Sequence, residues 1–117
     1  MEDHQKKLAL DWLKQIKLEH KANAPLHQLS YGEQRLVLIC RAMIKQPALL
    51  ILDEPSNHLD ALGKQWLIAK IEQFAGMVLL ISHDRELLNI VDEIWELSTL
   101  GLTVYGGNYD FYAQKKA

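Results

Sequence analysis

Ala48-Leu49-Leu50-Ile51-Leu52-Asp53-Glu54-Pro55 is an unbroken aliphatic run that ends in two adjacent acids and a proline. A short apolar run without polar alternation reads as a strand covered on both faces, the habit of parallel sheets. Acids at the end of such a strand stand at the carboxyl edge of the sheet, where open α/β sheets bind their ligands. A second run, Met77-Val78-Leu79-Leu80-Ile81, leads into Ser82-His83-Asp84-Arg85 in the same manner. Between the two, Leu59 to Phe74 reads as a helix with Leu62, Trp66, Leu67, Ala69 and Ile71 along a broad apolar face, closed by Gly76. Strand, helix, strand, helix in this order predicts an α/β fold with a mostly parallel sheet and flanking helices.

The flanks extend the pattern. Leu8, Trp12, Leu13 and Ile16 recur at helical spacing, predicting an amphipathic helix that frays near His20 to Asn23 before Ala24-Pro25. Leu26 to Leu29 reads as a connector. Ser30 with Glu33 three residues on forms a capping-box pattern. The helix it opens carries Leu36, Val37, Leu38, Ile39, Ala42, Met43 and Ile44, a set that predicts burial on most faces and an end before Gln46-Pro47. Downstream, Arg85 to Val91 reads as a short helix. Glu93 to Leu97 and Leu100 to Tyr105 read as a hairpin around Ser98-Thr99. Tyr109 to Ala117 begins a last helix after the Gly106-Gly107-Asn108 break.

Composition narrows the function classes. The 117 residues fit one small domain, and 49% hydrophobic with 24% charged residues is the usage of a globular chain. A net charge of −2 gives no overall attraction to nucleic acid. Cys40, without an intramolecular partner and set in an apolar stretch, reads as a buried thiol of a reducing, cytoplasmic compartment. No apolar stretch reaches the roughly 18 residues that would span a bilayer, and Met1 to Lys7 lead into no secretory segment. His4, His20, His27 and His58 lack metal-ligand spacing, and a single cysteine argues against a zinc site.

The chemistry centres on Asp53-Glu54. Phosphate hydrolysis needs a cation to neutralise oxygens and a group to orient the attacking water, and two carboxylates leaving one strand can divide those tasks. Taken alone, the pair would serve equally well to cap the next turn. Leu29-Ser30-Tyr31-Gly32-Glu33 opens a helix whose free N–H groups suit an anion, with Gly32 permitting close approach and Ser30 adding a donor. An ordinary capping box would look the same. Asp60 of Ser56-Asn57-His58-Leu59-Asp60 reads alone as a helix N-cap, and a lone His83 as a structural hydrogen-bonding residue.

Together and in order, these segments resemble the second half of an ATP-binding-cassette (ABC) ATPase domain, a P-loop NTPase fold, together with the end of its helical subdomain. The resemblance implies Mg²⁺ at Asp53, through water, and a water polarised by Glu54. It implies contact of His83 with the γ-phosphate. It also implies a signature formed by Ser30, Gly32 and Glu33 that binds ATP held on an opposite nucleotide domain, and a D-loop at Asp60 that communicates across the dimer. Asp53-Glu54-Pro55-Ser56-Asn57-His58-Leu59-Asp60 and Ile81-Ser82-His83-Asp84-Arg85-Glu86-Leu87-Leu88 are similar to the ABC-F branch, with Ser56 in place of its usual threonine. Tyr105 to Tyr112 resembles the Y-x-G-N-Y-x-x-Y element that precedes the interdomain linker of that branch.

ABC-F membership implies a non-transporter ATPase that acts on ribosomes. It implies ATP and Mg²⁺ as ligands, and as partner a second nucleotide domain in the same chain or another copy, with ribosomal RNA reached through the parent protein. The expected layout is one incomplete domain over 1–117: helical subdomain and signature helix at 1–46, catalytic core at 47–105 and the start of the linker at 106–117. The phosphate-cradling GxxxxGK[ST] loop and the Q-loop are absent from the sequence. Without the loop's lysine and N–H nest, ATP loses its main charge-assisted contacts. The isolated chain is therefore expected to be inactive, with an uncovered sheet edge or apolar patch that favours self-association. Two alternatives stay open: a non-catalytic module that docks on a full ABC protein, and half of a transporter ATPase subunit.

Overall fold

The computed structural model describes residues 3–15 and 25–117, the side chain of Leu26 excepted. Ile16 and the fraying expected at His20 to Asn23 lie outside the described residues. The chain forms two compact units, Met1–Ile81 and Ser82–Ala117.

The first unit is built around α2 (Tyr31–Ile44). Its capping box forms as expected. The Glu33 N–H donates to Ser30 Oγ at 3.1 Å, and the Ser30 N–H donates to Glu33 Oε1 at 2.9 Å. Leu36, Ile39, Cys40, Met43 and Ile44 turn inward, while Leu38 remains 45% exposed, so the helix buries one broad face rather than most of its surface. Gln46 enters the left-handed region at φ 52 and its N–H reaches the Met43 carbonyl at 2.9 Å, closing the helix before Pro47.

Helix α1 (Asp3–Gln15) has no fully buried residue. It is fastened by its last turn. Trp12 meets Trp66 edge to face at 6.0 Å, the Trp66 indole N–H donates to Gln15 at 3.1 Å, and the Lys70 ammonium lies 4.4 Å from the Trp12 ring. An aromatic pair of this geometry adds about 0.5–1.5 kcal/mol beyond its buried area.

Strands β1 (Leu49–Asp53) and β2 (Met77–Ile81) pair in parallel, from Leu49 opposite Met77 to Asp53 opposite Ile81. Coverage on both faces, expected from the unbroken apolar runs, is not found. Leu50 and Leu52 are buried, but Leu49, Ile51, Met77, Leu79 and Ile81 are exposed, Met77 by 70%. Strand side chains alternate between faces, so helices on one side of this sheet cover only every second residue.

Helix α3 (Ala61–Gln73) starts at the Asp60 cap, whose Oδ1 accepts the Gly63 N–H at 2.8 Å. Gly63, Trp66, Leu67 and Ile71 form its buried stripe; Leu62 and Ala69, expected on that face, are exposed. One residue before Gly63, Leu62 is turned about 100° from it, and Ala69, two residues after Leu67, is turned about 200°. Gly76 does not end the helix, which stops at Gln73 with Phe74 in extended backbone. Its role is close approach: a Cβ there would lie 2.7 Å from the Pro47 carbonyl oxygen and 2.9 Å from that of Ala48.

In the second unit, α4 is a single turn (Arg85–Leu88), shorter than its apolar pattern suggests, with Leu87 fully buried. Strands β3 (Ile94–Ser98) and β4 (Gly101–Tyr105) form the expected antiparallel hairpin, and Asn108 caps α5 (Tyr109–Lys116). Tyr105 and Tyr112 meet edge to face at 4.9 Å, and Glu96 accepts from both the Tyr112 hydroxyl and, at 2.7 Å, the Lys116 ammonium. No helix among the described residues is long and apolar enough to cross a membrane.

Candidate functional site

The first unit carries Ser30, Gly32, Glu33, Asp53, Glu54 and Asp60; His83 belongs to the second unit. Asp53 is the last residue of β1 and is exposed. Glu54 sits one step beyond, in the left-handed region at φ 47, and its N–H donates to the Ile81 carbonyl at 2.7 Å. That bond carries the β1–β2 ladder one residue past the strand while the chain turns away. A non-glycine residue so placed stores roughly 1–3 kcal/mol of backbone strain, which its surroundings must hold.

Pro55, fully buried, anchors the turn that follows. The Asn57 N–H reaches the Glu54 carbonyl at 3.2 Å and the Leu59 N–H reaches that of Ser56 at 3.1 Å. His58 lies in the left-handed region at φ 68. The loop from Glu54 to Asp60 is therefore two consecutive turns ending in the α3 cap.

This loop rests on the start of α2. A Cβ on Gly32 would fall 2.4 Å from the His58 carbonyl oxygen, a distance only glycine permits. Next to it, the Tyr31 ring lies 5.6 Å from the His58 ring. Within the helix entry, the Gln34 side-chain amide donates to the Leu29 carbonyl at 3.0 Å. The structure thus joins two motifs that lie 26 positions apart, Gly32 and His58, by direct backbone contact. Sequence reasoning missed Tyr31, Gln34 and His58 as parts of this junction. The signal available for His58 was only its place inside the turn-rich stretch before Asp60.

The capped N-terminus of α2 exposes backbone donors and the positive end of the helix dipole, so this edge suits an anion. Asp53 and Glu54 are the carboxylates at the end of β1. Among the described residues no cluster of three or more histidine, cysteine or acidic side chains could cage a metal ion. The donor set fits Mg²⁺ all the same, because this ion keeps most of its water and is usually held by one or two carboxylates together with substrate phosphates.

In the second unit, His83 is exposed in the turn after β2. Ser82 Oγ accepts the Asp84 N–H at 2.9 Å, and Asp84 Oδ1 accepts the Glu86 N–H at 3.0 Å, so both neighbours of His83 are fixed. Away from these motifs, burial pushes the Cys40 thiol up to about 12, and burial also lowers the Lys70 amine below its ordinary range. Cys40 is accordingly a core residue and not a nucleophile.

The ABC transporter family model matches residues 1–57. Among curated proteins, the energy-dependent translational throttle protein EttA of Mycobacterium tuberculosis is 43% identical over 97 residues, 82% of this chain and 17% of its own length. The ABC transporter F family member 2 of Arabidopsis thaliana is 40% identical over 88 residues, 74% of this chain and 13% of its own. Among solved structures, the dimeric MJ0796 bacterial ABC transporter cassette superposes with a TM-score of 0.69 at 28% identity, over 81% of this chain and 44% of that one. The chain therefore spans less than half of each of these proteins. It belongs to the ABC ATPases, as a portion of a P-loop NTPase domain of their ABC-F type.

Proposed function

We propose that this chain supplies the signature, the catalytic carboxylates and the γ-phosphate-contacting histidine of an ABC-F ATPase domain. The observation that carries this is the seating of the Glu54–Asp60 loop on Gly32, which brings together the two stretches read as signature and D-loop. Asp53 would hold Mg²⁺ through water, and that ion would supply positive charge to the phosphate oxygens. Glu54 orients the attacking water and accepts its proton. His83 donates toward the γ-phosphate, and Ser30, Gly32 and Glu33 present the α2 N-terminus to ATP held on a second nucleotide domain. Asp60, at the end of the same loop, would communicate with the partner domain. The name of EttA, a translational throttle, supports a translation-related setting. The ribosome and its RNA are the partners proposed for the parent protein, and the cytoplasm its proposed compartment. On this reading 1–46 is helical subdomain and signature helix, 47–105 catalytic core and 106–117 the approach to a linker.

The isolated chain lacks a phosphate-cradling loop, so equilibrium titration with Mg-ATP is expected to show no saturable binding and no phosphate release. Saturable binding with turnover that Glu54→Gln abolishes would overturn the incomplete-site reading.

One observation favours a second role, self-association or docking on a full ABC protein. Leu49, Ile51, Met77, Leu79 and Ile81 form an exposed aliphatic face in strand register, of the kind that soluble monomers seldom leave bare.

A further inference from the structure

We propose that Asn89 is a positioning residue that ties the turn bearing His83 to the first turn of α5, making the orientation of α5 dependent on the state of that turn. The functional consequence rests on the reading of His83 as the γ-phosphate contact; the tie itself is built from bonds within the second unit.

Three features assemble it. First, Ser82 Oγ accepts the Asp84 N–H across His83, and the Asp84 carboxylate caps α4 through the Glu86 N–H, so His83 is tied directly to the start of that helix. Second, α4 follows at once and is one turn long, with Leu87 fully buried as its anchor. Such a turn spans only about 6 Å and transmits a displacement instead of absorbing it. Third, the end of α4 grips α5. Asn89 Oδ1 accepts the Asp110 N–H at 2.9 Å and its Nδ2 donates to Asp110 Oδ1 at 3.4 Å, while the Arg85 guanidinium lies 5.4 Å from the Tyr109 ring.

The start of α5 is thus held by two asparagines. Asn108 is the local cap and accepts the Phe111 N–H at 3.1 Å, which suffices to begin the helix. Asn89 takes a second N-terminal donor from 21 positions away, and what it adds is direction. Farther along, Glu96 of the hairpin holds Tyr112 and Lys116, so α5 is gripped at both ends of its length. Through this tie, γ-phosphate at His83 biases the direction of α5, and a load on α5 biases His83 equally, since coupling between two sites is reciprocal.

The test is NMR on the full chain without nucleotide, so its outcome is independent of whether ATP binds. Asn89→Ala is expected to speed amide exchange at Asp110 about tenfold and to shift the His83 ring resonances, with Leu67 amide exchange in the first unit unchanged. The double variant N89D/D110N, which exchanges the donor and acceptor side chains, is expected to return both signals to the wild-type values. Faster exchange at Asp110 with unmoved His83 resonances would overturn the proposal and leave Asn89 a second cap of α5. So would a folded double variant that restores neither signal. Failure of His83 to matter in a completed cassette would count against the proposed function alone.

Discussion

At Gly32 a single methyl group decides whether two motifs can touch. An added Cβ would overlap the His58 carbonyl oxygen, so Gly32→Ala must push the Glu54–Asp60 loop away from α2. The expected loss is about 1–3 kcal/mol of stability, read by denaturant unfolding, with amide shifts at His58 and Leu59. Unchanged stability and shifts would show that the loop is not seated there. Ser30→Ala removes the acceptor for the Glu33 N–H and should cost about 1 kcal/mol by the same assay. The two residues were legible to different degrees. The Ser30 cap depends on a partner three positions away and could be read from spacing. The need for glycine at 32 is set by a carbonyl far along the chain, whereas its place at a helix start suggested only the close approach of an anion. Cys40 was legible from its apolar neighbours, and its raised thiol pKa, about 12, predicts no reaction with iodoacetamide at pH 8 until the chain unfolds.

Among the elements, α5 carries the clearest pH dependence. The Lys116 ammonium, and then the Tyr112 hydroxyl, hold the Glu96 carboxyl below its ordinary 4.5; Glu96 in turn raises Tyr112 above 10.0 and Lys116 above 10.5. A depressed acid stabilises the fold above its unfolded pKa and loses that contribution as pH falls through its folded value. The raised groups contribute fully below their unfolded pKa values and lose that contribution as pH climbs through the folded ones. Protection of the amides at the end of α5, taken as exchange relative to the unstructured chain at the same pH, should therefore be greatest between roughly pH 5 and 10 and fall on both sides. Glu96→Gln should remove the acid-side change; a flat profile in the wild type would contradict the clasp. The hairpin and the α5 cap were readable because their turn residues act locally. Leu62 and Gly76 were misplaced because helix phase and close approach depend on neighbours that periodicity does not reveal. The link from Asn89 to Asp110 has no sequence pattern at all.

At the scale of the molecule, the alternation of elements was legible as an α/β fold, whereas the coverage of its sheet was not. An unbroken aliphatic strand records what the sheet is suited to bury, and in this chain one face of it is open. Charging that face with Ile51→Lys and Leu79→Lys should reduce self-association in sedimentation velocity, and an unchanged distribution would place any oligomer contact elsewhere. The most direct measurement of the chain's catalytic inheritance is phosphate release by a chimera in which residues 1–117 replace the matching part of the MJ0796 cassette, so that both halves of the dimer carry them. ATP hydrolysis that falls about 10²–10⁴-fold in Glu54→Gln is expected. A folded chimera that does not hydrolyse ATP, or one whose hydrolysis is unchanged by Glu54→Gln, would contradict that expectation.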